Sequence, residues 1–272
     1  MNPIIAVALK EFQDGLRNRW FVSITFIFAL LSVGLSYYGS VASGHIGPPS
    51  LSSTIASLSS LSVFIIPLIA LLLCYDSFVG EQESGTLLLL MTYPLSHGQL
   101  LFGKFLGQGF IITLATVLGF GSAGVLLAFT LDTAEVASSF GLFILTSTLL
   151  GLCFITLAYL TSLLVSEKSK AAGISLILWL FFVLIFDLVL LGVLVGGSEL
   201  LTQHALVQVM MFNPADLFRL INLSSLNSTD VNGVLAVAIN SSYSTSTLLL
   251  VMLAWILLPL SVALLIFRKK TL

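Results

Sequence analysis

Long apolar stretches alternate with short polar ones along the chain. Six of the apolar stretches reach the length of about 20 residues that an α-helix needs to cross the hydrocarbon core of a bilayer. They are continuously apolar, as membrane helices are, whereas β-barrel strands alternate lipid-facing and lumen-facing residues. The pattern therefore predicts six transmembrane helices, at Trp20–Val41, Ile55–Tyr75, Phe105–Leu131, Val136–Val165, Ala171–Val195 and Thr245–Phe267.

Spans three and four are longer than one bilayer crossing requires, so they are expected to tilt or to project beyond the membrane. The short stretch LDTAE, residues 131–135, connects them. A connection this short predicts that the two helices form an antiparallel hairpin.

The N-terminal segment, residues 3–18, has the period of an amphipathic helix. Ile5, Leu9, Phe12 and Leu16 fall on one face, and the charged residues fall elsewhere. The segment is predicted to lie as a helix in the membrane interface before span one.

The polar block of residues 80–104 lies between spans two and three and predicts a helix, a turn and a second helix. Glu81 and Glu83 suit the first turn of a short helix, where the positive end of the dipole favours negative charge. Pro94 predicts a turn, and Ser96 is a candidate N-cap for the helix that enters span three. The leucines between, residues 87–90, would surround such a helix on every side, so they require lipid or a protein partner as cover.

The segment of residues 196–244, between spans five and six, contains a further helix signal. Asn213 is a candidate N-cap with Pro214 in the first helical position. Asp216 and Arg219 are three residues apart and are expected to pair. A structured segment of this length either contacts a partner outside the membrane or packs on its own membrane helices, and the sequence leaves both open.

Composition supports a polytopic membrane protein and excludes several other classes. Hydrophobic residues make up 58% of the 272-residue chain, charged residues only 8%, and mean hydropathy is +1.13. The net charge of −2 gives no indication of nucleic-acid binding. Cys74 and Cys153 both lie inside apolar runs without a CxxC motif, so neither a disulfide scaffold nor a zinc site is predicted.

The basic residues predict the orientation of the spans. Of the ten Lys and Arg residues, all except Arg219 fall in segments on one side of the six predicted spans. The positive-inside rule places that side, with both termini and the block of residues 80–104, in the cytoplasm. The segment of residues 196–244 is then external.

The chain shows little sign of chemistry of its own. Residues 98–105, GQLLFGKF, approach a phosphate-binding loop, but Phe105 stands where Ser or Thr would reach the metal and no buried strand precedes it. No catalytic group, bound metal or cofactor is predicted for this chain. Asp187 is the one carboxylate well inside a predicted span, where a charge is costly and indicates either a functional role or contact with interfacial water.

The stretch DSFVGEQESGTLLLLMTYPLSHGQLLFGKFLG, which begins at Asp76, resembles the signature of ABC-2 type transporter permeases. In that family an acidic Gly-Glu-x-Glu-x-Gly-Thr motif precedes a leucine run, a proline turn and Gly-Lys. The resemblance covers the whole chain and implies a single all-α permease domain, residues 1–272, of the type V exporter-like fold. It implies that the N-terminal helix is an elbow helix and that residues 80–104 form a cytoplasmic coupling loop. The residues implied to contact the ATPase are Asp76, Glu81, Glu83, Gly85, Thr86, Leu87, Leu90, Pro94 and Ser96.

The family resemblance also implies a set of partners. A second copy of the chain and two copies of a separate cytoplasmic ATPase are expected, in a bacterial inner membrane. ATP and Mg are expected in the ATPase and not in this chain.

Two shorter stretches, LKEFQDGLRNRWF at Leu9–Phe21 and FNPADLFRLINL at Phe212–Leu223, resemble permeases of the nitrous oxide reductase maturation system. That resemblance implies an extracytoplasmic β-helical partner and a role in copper-site assembly, by passing mechanical work or a sulfur species across the membrane. The docking residues it implies are Met210, Met211, Phe212, Asn213, Asp216, Phe218 and Arg219.

Two other functions compete with this one. A general ABC-2 exporter of a lipid, polysaccharide or drug would share the coupling loop and use the external segment as a lid. An intramembrane enzyme or stand-alone channel would need paired polar residues deep in several spans, and the spans offer one such charge, Asp187.

Overall fold

The computed structural model describes residues 2–17, 20–42, 51–195, 203–224 and 243–270. Within these ranges every regular element is helical, as the sequence predicts. The α-helices are α1 Pro3–Arg17, α2 Trp20–Ala42, α3 Leu51–Cys74, α4 Val79–Glu83, α5 Thr86–Thr92, α6 His97–Ala128, α7 Thr133–Leu164, α8 Lys168–Leu180, α9 Phe186–Val195, α10 Gln203–Met210, α11 Pro214–Ser224 and α12 Thr245–Lys269, with a π-helical turn at Phe181–Ile185 between α8 and α9.

Five stretches of the described chain are long and apolar enough to cross a membrane, and the bent pair of α1 and α2 provides a sixth. The axes of the two members of this pair differ by 67°. The predicted all-α membrane fold is therefore confirmed. The orientation of the termini stays a prediction.

Helix α6 begins at His97, directly after the N-cap that was predicted at Ser96. The Ser96 hydroxyl accepts a hydrogen bond from the Gln99 amide at 3.2 Å, and the Gln99 side chain accepts one from the Ser96 amide at 2.9 Å. This reciprocal capping box satisfies backbone donors that a helix start otherwise leaves unpaired. The predicted N-cap is confirmed, and α6 extends from the polar block directly through span three.

Helix α7 lies at the centre of the bundle, against α3, α6 and α12. Helices α6 and α7 each have 32 residues and are joined by a four-residue turn, which confirms the predicted hairpin. Their length, about 48 Å each at 1.5 Å per residue, places the polar block and the hairpin at opposite ends of the bundle.

Helix α1 packs directly on α6 through glycines. A Cβ atom at Gly103 would lie 2.6 Å from the Val7 Cβ, and one at Gly107 would lie 2.6 Å from the Ala8 carbonyl oxygen. The two backbones approach closely because these positions have no side chain. On the other face of α1, Ile5, Leu9 and Leu16 are exposed, as expected for an apolar face that meets lipid.

We expect Gly107→Ala to lower the free energy of unfolding by about 1–3 kcal/mol, because the new methyl group would overlap backbone atoms of α1. Gly121→Ala is the matched control on the same helix, since a Cβ there meets nothing within 4 Å. Alanine is the better helix former by about 1 kcal/mol, so the control is expected to be neutral or stabilising. Denaturation of both variants in mixed micelles measures the difference, and equal stabilities would contradict this packing.

Candidate coupling site

The polar block folds into two short helices, α4 and α5, which we call the coupling segment, residues 79–92. Gly85 separates them with φ of 73°, a left-handed conformation that glycine adopts without steric cost. The Ser162 hydroxyl of α7 accepts hydrogen bonds from the backbone amides of Phe78 and Val79, both at 3.0 Å. These bonds satisfy donors at the start of α4 and fix the segment to the bundle.

Helix α5 presents an apolar surface that the described part of the chain leaves uncovered. Leu87 is buried and Leu90 is partly buried against the core. The exposed positions are Leu88 at 56%, Leu89 at 64% and Tyr93 at 64%. The leucine run did indicate a need for cover, but only the structure separates its inward residues from its outward ones.

Glu81 lies inward, beside the buried side chain of Lys104. The Lys104 ammonium donates to the carboxylate of Glu81 at 2.7 Å and to that of Glu11 at 2.8 Å. Lys104 is only 2% exposed, and its ammonium also lies 5.7 Å from the centre of the Phe78 ring. We call Lys104, Glu11 and Glu81 the Lys104 cluster.

The Gln108 side chain extends the Lys104 cluster by one helical turn towards the membrane core. Its amide nitrogen donates to the Ser77 hydroxyl at 2.8 Å and to Glu11 at 3.2 Å. Its amide oxygen accepts a bond from the Tyr159 hydroxyl at 2.8 Å. The cluster is thereby joined to α7 as well as to α1, α4 and α6. Lys104 and Gln108 are one turn apart on α6, but the sequence does not reveal that Glu11 meets them.

Asp76 and Glu83 fasten the coupling segment to the start of α8. The Lys168 ammonium lies 2.7 Å from the Asp76 carboxylate, and the Lys168 backbone amide donates to Glu83 at 2.6 Å. Both carboxylates were predicted to contact the ATPase, and in this structure both have partners inside the chain. Of the other predicted residues, Thr86 and Pro94 are exposed, whereas Ser96 is used as a helix cap.

At the opposite end of the bundle, which the distribution of basic residues predicts to be external, Asp187, Asp216 and Arg219 form a second charged group, which we call the external charge cluster. Arg219 on α11 donates to Asp187 on α9, and its distance to Asp216 is 3.3 Å. Burial, and then the neighbouring Asp187 carboxylate, raise the pKa of Asp216 to about 8. One guanidinium therefore serves two carboxylates, and Asp187 is not merely a carboxylate that reaches interfacial water.

The helix cap predicted at Asn213 is present and makes a second contact. The Asn213 side-chain oxygen accepts a bond from the Ala215 amide at 2.9 Å, with Pro214 in the first turn as expected. Its side-chain nitrogen donates to the carbonyl of Phe182 at 2.8 Å, within the π-helical turn. A π-helical turn disrupts the regular hydrogen-bond ladder of a helix, and this contact ties α11 to that irregularity in span five.

Burial divides the residues that were predicted to dock an external partner. Met210, Asn213, Asp216 and Phe218 are buried inside the chain, and Arg219 is largely buried. They cannot contact a partner in this conformation, because α11 packs on α3, α7 and α12. Phe212 is 72% exposed and Met211 is partly exposed, so the surface available here is much smaller than predicted.

Within the described ranges, no group of three or more His, Cys, Asp or Glu side chains is placed to hold a metal ion. The features that the described residues offer are ion pairs that join helices and an apolar surface on α5.

Comparison with known proteins identifies the family. A family model described as "ABC-2 family transporter protein" matches residues 5–272. A Pseudomonas aeruginosa protein described as "Probable ABC transporter permease protein NosY" is 48% identical over 272 residues, which covers 98% of this chain and 99% of the relative. A Stutzerimonas stutzeri protein of the same description is 47% identical over 274 residues, covering 99% of each. The chain therefore belongs to the ABC-2 family of transporter proteins, as a multi-pass permease subunit of the kind that works with an ABC ATPase.

Proposed function

We propose that this chain transmits the ATP-driven closure of a separate cytoplasmic ATPase to the external side of a bacterial inner membrane, in the maturation of the copper site of nitrous oxide reductase. The full-length identity of 48% to a probable NosY permease carries this proposal. The resemblance of Leu9–Phe21 and Phe212–Leu223 to permeases of that maturation system supports it.

The surface of Leu88, Leu89 and Tyr93 is the proposed contact with the ATPase. An exposed apolar patch on an otherwise anchored segment is typical of a protein interface. Two ATPases and two copies of this chain form the proposed assembly, with ATP and Mg held by the ATPases. Among the residues that the family pattern implied, Glu81, Glu83 and Asp76 hold the coupling segment in place, and the leucines beside them make the contact.

Transmission follows from how the coupling segment is connected. On one side α3 passes almost directly into α4, and on the other a four-residue turn, residues 93–96, leads from α5 to the capped start of α6. A push on α5 therefore acts on two membrane helices at once. Nucleotide bound to the ATPase shifts the assembly between two conformational states only to the extent that it binds one of these states more tightly than the other.

On the external side, the proposed partner is a β-helical protein that docks beside Phe212 and Met211. Phe212 is the most exposed of the residues predicted for this role. The buried members of the predicted set act in this proposal by connecting α11 to spans four and five. Asn213, for example, donates to the Phe182 carbonyl of span five at 2.8 Å, and the centre of the Phe218 ring lies 6.0 Å from that of Phe143 on α7.

The test replaces Leu88 and Leu89 together by arginine in a denitrifying bacterium that lacks its own permease. We expect the ATPase to be lost on co-purification and the copper site of nitrous oxide reductase to be absent from its visible spectrum. The reason is that two charges would face an apolar partner surface. Charge reversal at Glu81 is a poorer test, since a lysine there would face the buried Lys104.

The control is Phe129→Arg, an exposed aromatic position at the opposite end of α6. It is expected to retain both the ATPase and the copper site. Retention of the ATPase by the leucine variant would disprove the contact surface. A normal copper site in cells without any permease would exclude the maturation role and favour a general exporter.

A further inference from the structure

We propose that Lys104 is a positioning residue that makes the elbow helix α1 move together with the coupling segment when the ATPase closes. The proposal rests on the proposed function, because it requires that the ATPase push on α5. It adds a route by which that push reaches span one, which the coupling segment does not adjoin in sequence.

Lys104 joins three segments that are far apart in the chain. Glu11 precedes it by 93 residues and Glu81 precedes it by 23, yet its ammonium lies within 2.8 Å of both carboxylates. Glu11 belongs to α1, Glu81 to α4 and Lys104 to α6. The Gln108 amide holds the second oxygen of Glu11 at 3.2 Å, which fixes the orientation of that carboxylate.

Because the three side chains of the Lys104 cluster are buried or largely buried, their ion pairs resist separation. Lys104 is 2% exposed, and the Glu11 and Glu81 side chains are 12% and 18% exposed. Attraction between charges is stronger in such surroundings than in water, and withdrawal of the ammonium would leave two carboxylates facing each other. One oxygen of Glu81 is buried without a partner in the described structure, so Glu81 has little to hold it besides Lys104. A displacement of α4 that carries Lys104 therefore also carries Glu11.

The packing of α1 indicates which helices its movement would affect. Gly103 and Gly107 bring α1 against α6, and α6 also contacts α2. The apolar contacts hold α1 near α6, but apolar surfaces slide more easily than a bonded ion pair. The ion pair is therefore the element that fixes the register of α1 with respect to the coupling segment.

The test uses Glu11→Gln, which removes the charge that α1 presents to Lys104 and keeps the pair between Glu81 and Lys104. The chain is purified with its ATPase in nanodiscs, and distances between spin labels are measured with and without trapped ATP. One label pair joins Gln13→Cys on α1 to Phe129→Cys at the far hairpin. The other joins Thr92→Cys on α5 to the same reference. All three label positions are exposed, whereas the native Cys74 and Cys153 are buried.

In the parent chain both distances are expected to change when ATP is trapped. In Glu11→Gln the α5 distance is expected to change as before, and the α1 change is expected to be lost. Asp14→Asn is the matched control, since Asp14 lies on the same helix and, among the described residues, its carboxylate forms an ion pair with the exposed Lys10, at 3.7 Å, and none with Lys104. It is expected to keep both changes. A purely structural role would lower the melting temperature without separating the two distances.

Two further outcomes would overturn the proposal, and they differ from each other. If Glu11→Gln keeps the full α1 change, the ion pair does not transmit motion, and the proposed coupling to the ATPase still stands. If α5 does not move in the parent chain, the proposed function fails together with this inference. Lys104→Met is a second variant, expected to lose the α1 change as well. It leaves two buried carboxylates unpaired, so Glu11→Gln remains the deciding variant should Lys104→Met fail to fold.

Discussion

Replacing Arg219 by methionine is expected to lower the free energy of unfolding by about 3–5 kcal/mol. Arg219 is the shared partner of Asp187 and Asp216, and its side chain is only 12% exposed. Methionine fills a similar volume but leaves the Asp187 carboxylate and the neighbouring Asp216 carboxyl group without the cation that they share. Removing one partner of a buried ion pair is costly for this reason, even where the intact pair contributes little net stability.

A charge pair in solvent provides the control. Lys170 and Glu167 form an ion pair at 2.7 Å with both side chains more than half exposed. Lys170→Met is expected to cost at most about 1 kcal/mol, because water screens the pair and replaces its contacts. Thermal and chemical denaturation in mixed micelles compares the two variants. Equal losses would show that the external charge cluster behaves as a surface pair, contrary to the structure.

Features of the fold that arise from short segments could be predicted from the sequence. The hydrophobic runs place the spans, since each needs only a local excess of apolar residues over bilayer length. The caps at Ser96 and Asn213 depend on residues within three positions of each other, so their sequence signals were sufficient. The amphipathic period of residues 3–18 likewise gave α1.

The pairing of Asp216 with Arg219, three residues apart, was predicted and is confirmed, but the ion pairs between distant segments could not be predicted. Nothing local to Glu11 indicates that it meets Lys104, and Asp187 shows no sign of Arg219, which follows 32 residues later. The helix at Pro214–Ser224 was correctly expected, but the sequence left open whether it docks a partner or packs on its own membrane helices. A stretch that is amphipathic suits a docking surface and a helix packed on its own bundle equally well.

The external charge cluster should make stability depend on pH through Asp216. Its pKa is raised from 3.8 to about 8, mainly by burial. Between about pH 4 and pH 8, Asp216 therefore keeps its proton in the folded state, whereas the unfolded chain has released it. The stabilisation from that proton is fully present below about pH 4 and is lost as pH rises towards 8. Above pH 8 both states are ionised and the dependence ends.

Within this window the free energy of unfolding is expected to fall by up to about 1.4 kcal/mol per pH unit, which is the slope for a difference of one bound proton between the folded and unfolded states. Other acids titrate as well, so the informative quantity is the difference between the parent chain and Asp216→Asn, which carries no titratable group at that position. Asparagine keeps an oxygen that accepts from the Asn213 amide, a bond of 2.9 Å in the parent. We expect unfolding measured from pH 5 to pH 8 to show the decline in the parent and a flatter profile in the variant. Parallel profiles would mean that Asp216 is ionised throughout and that Arg219 neutralises both carboxylates.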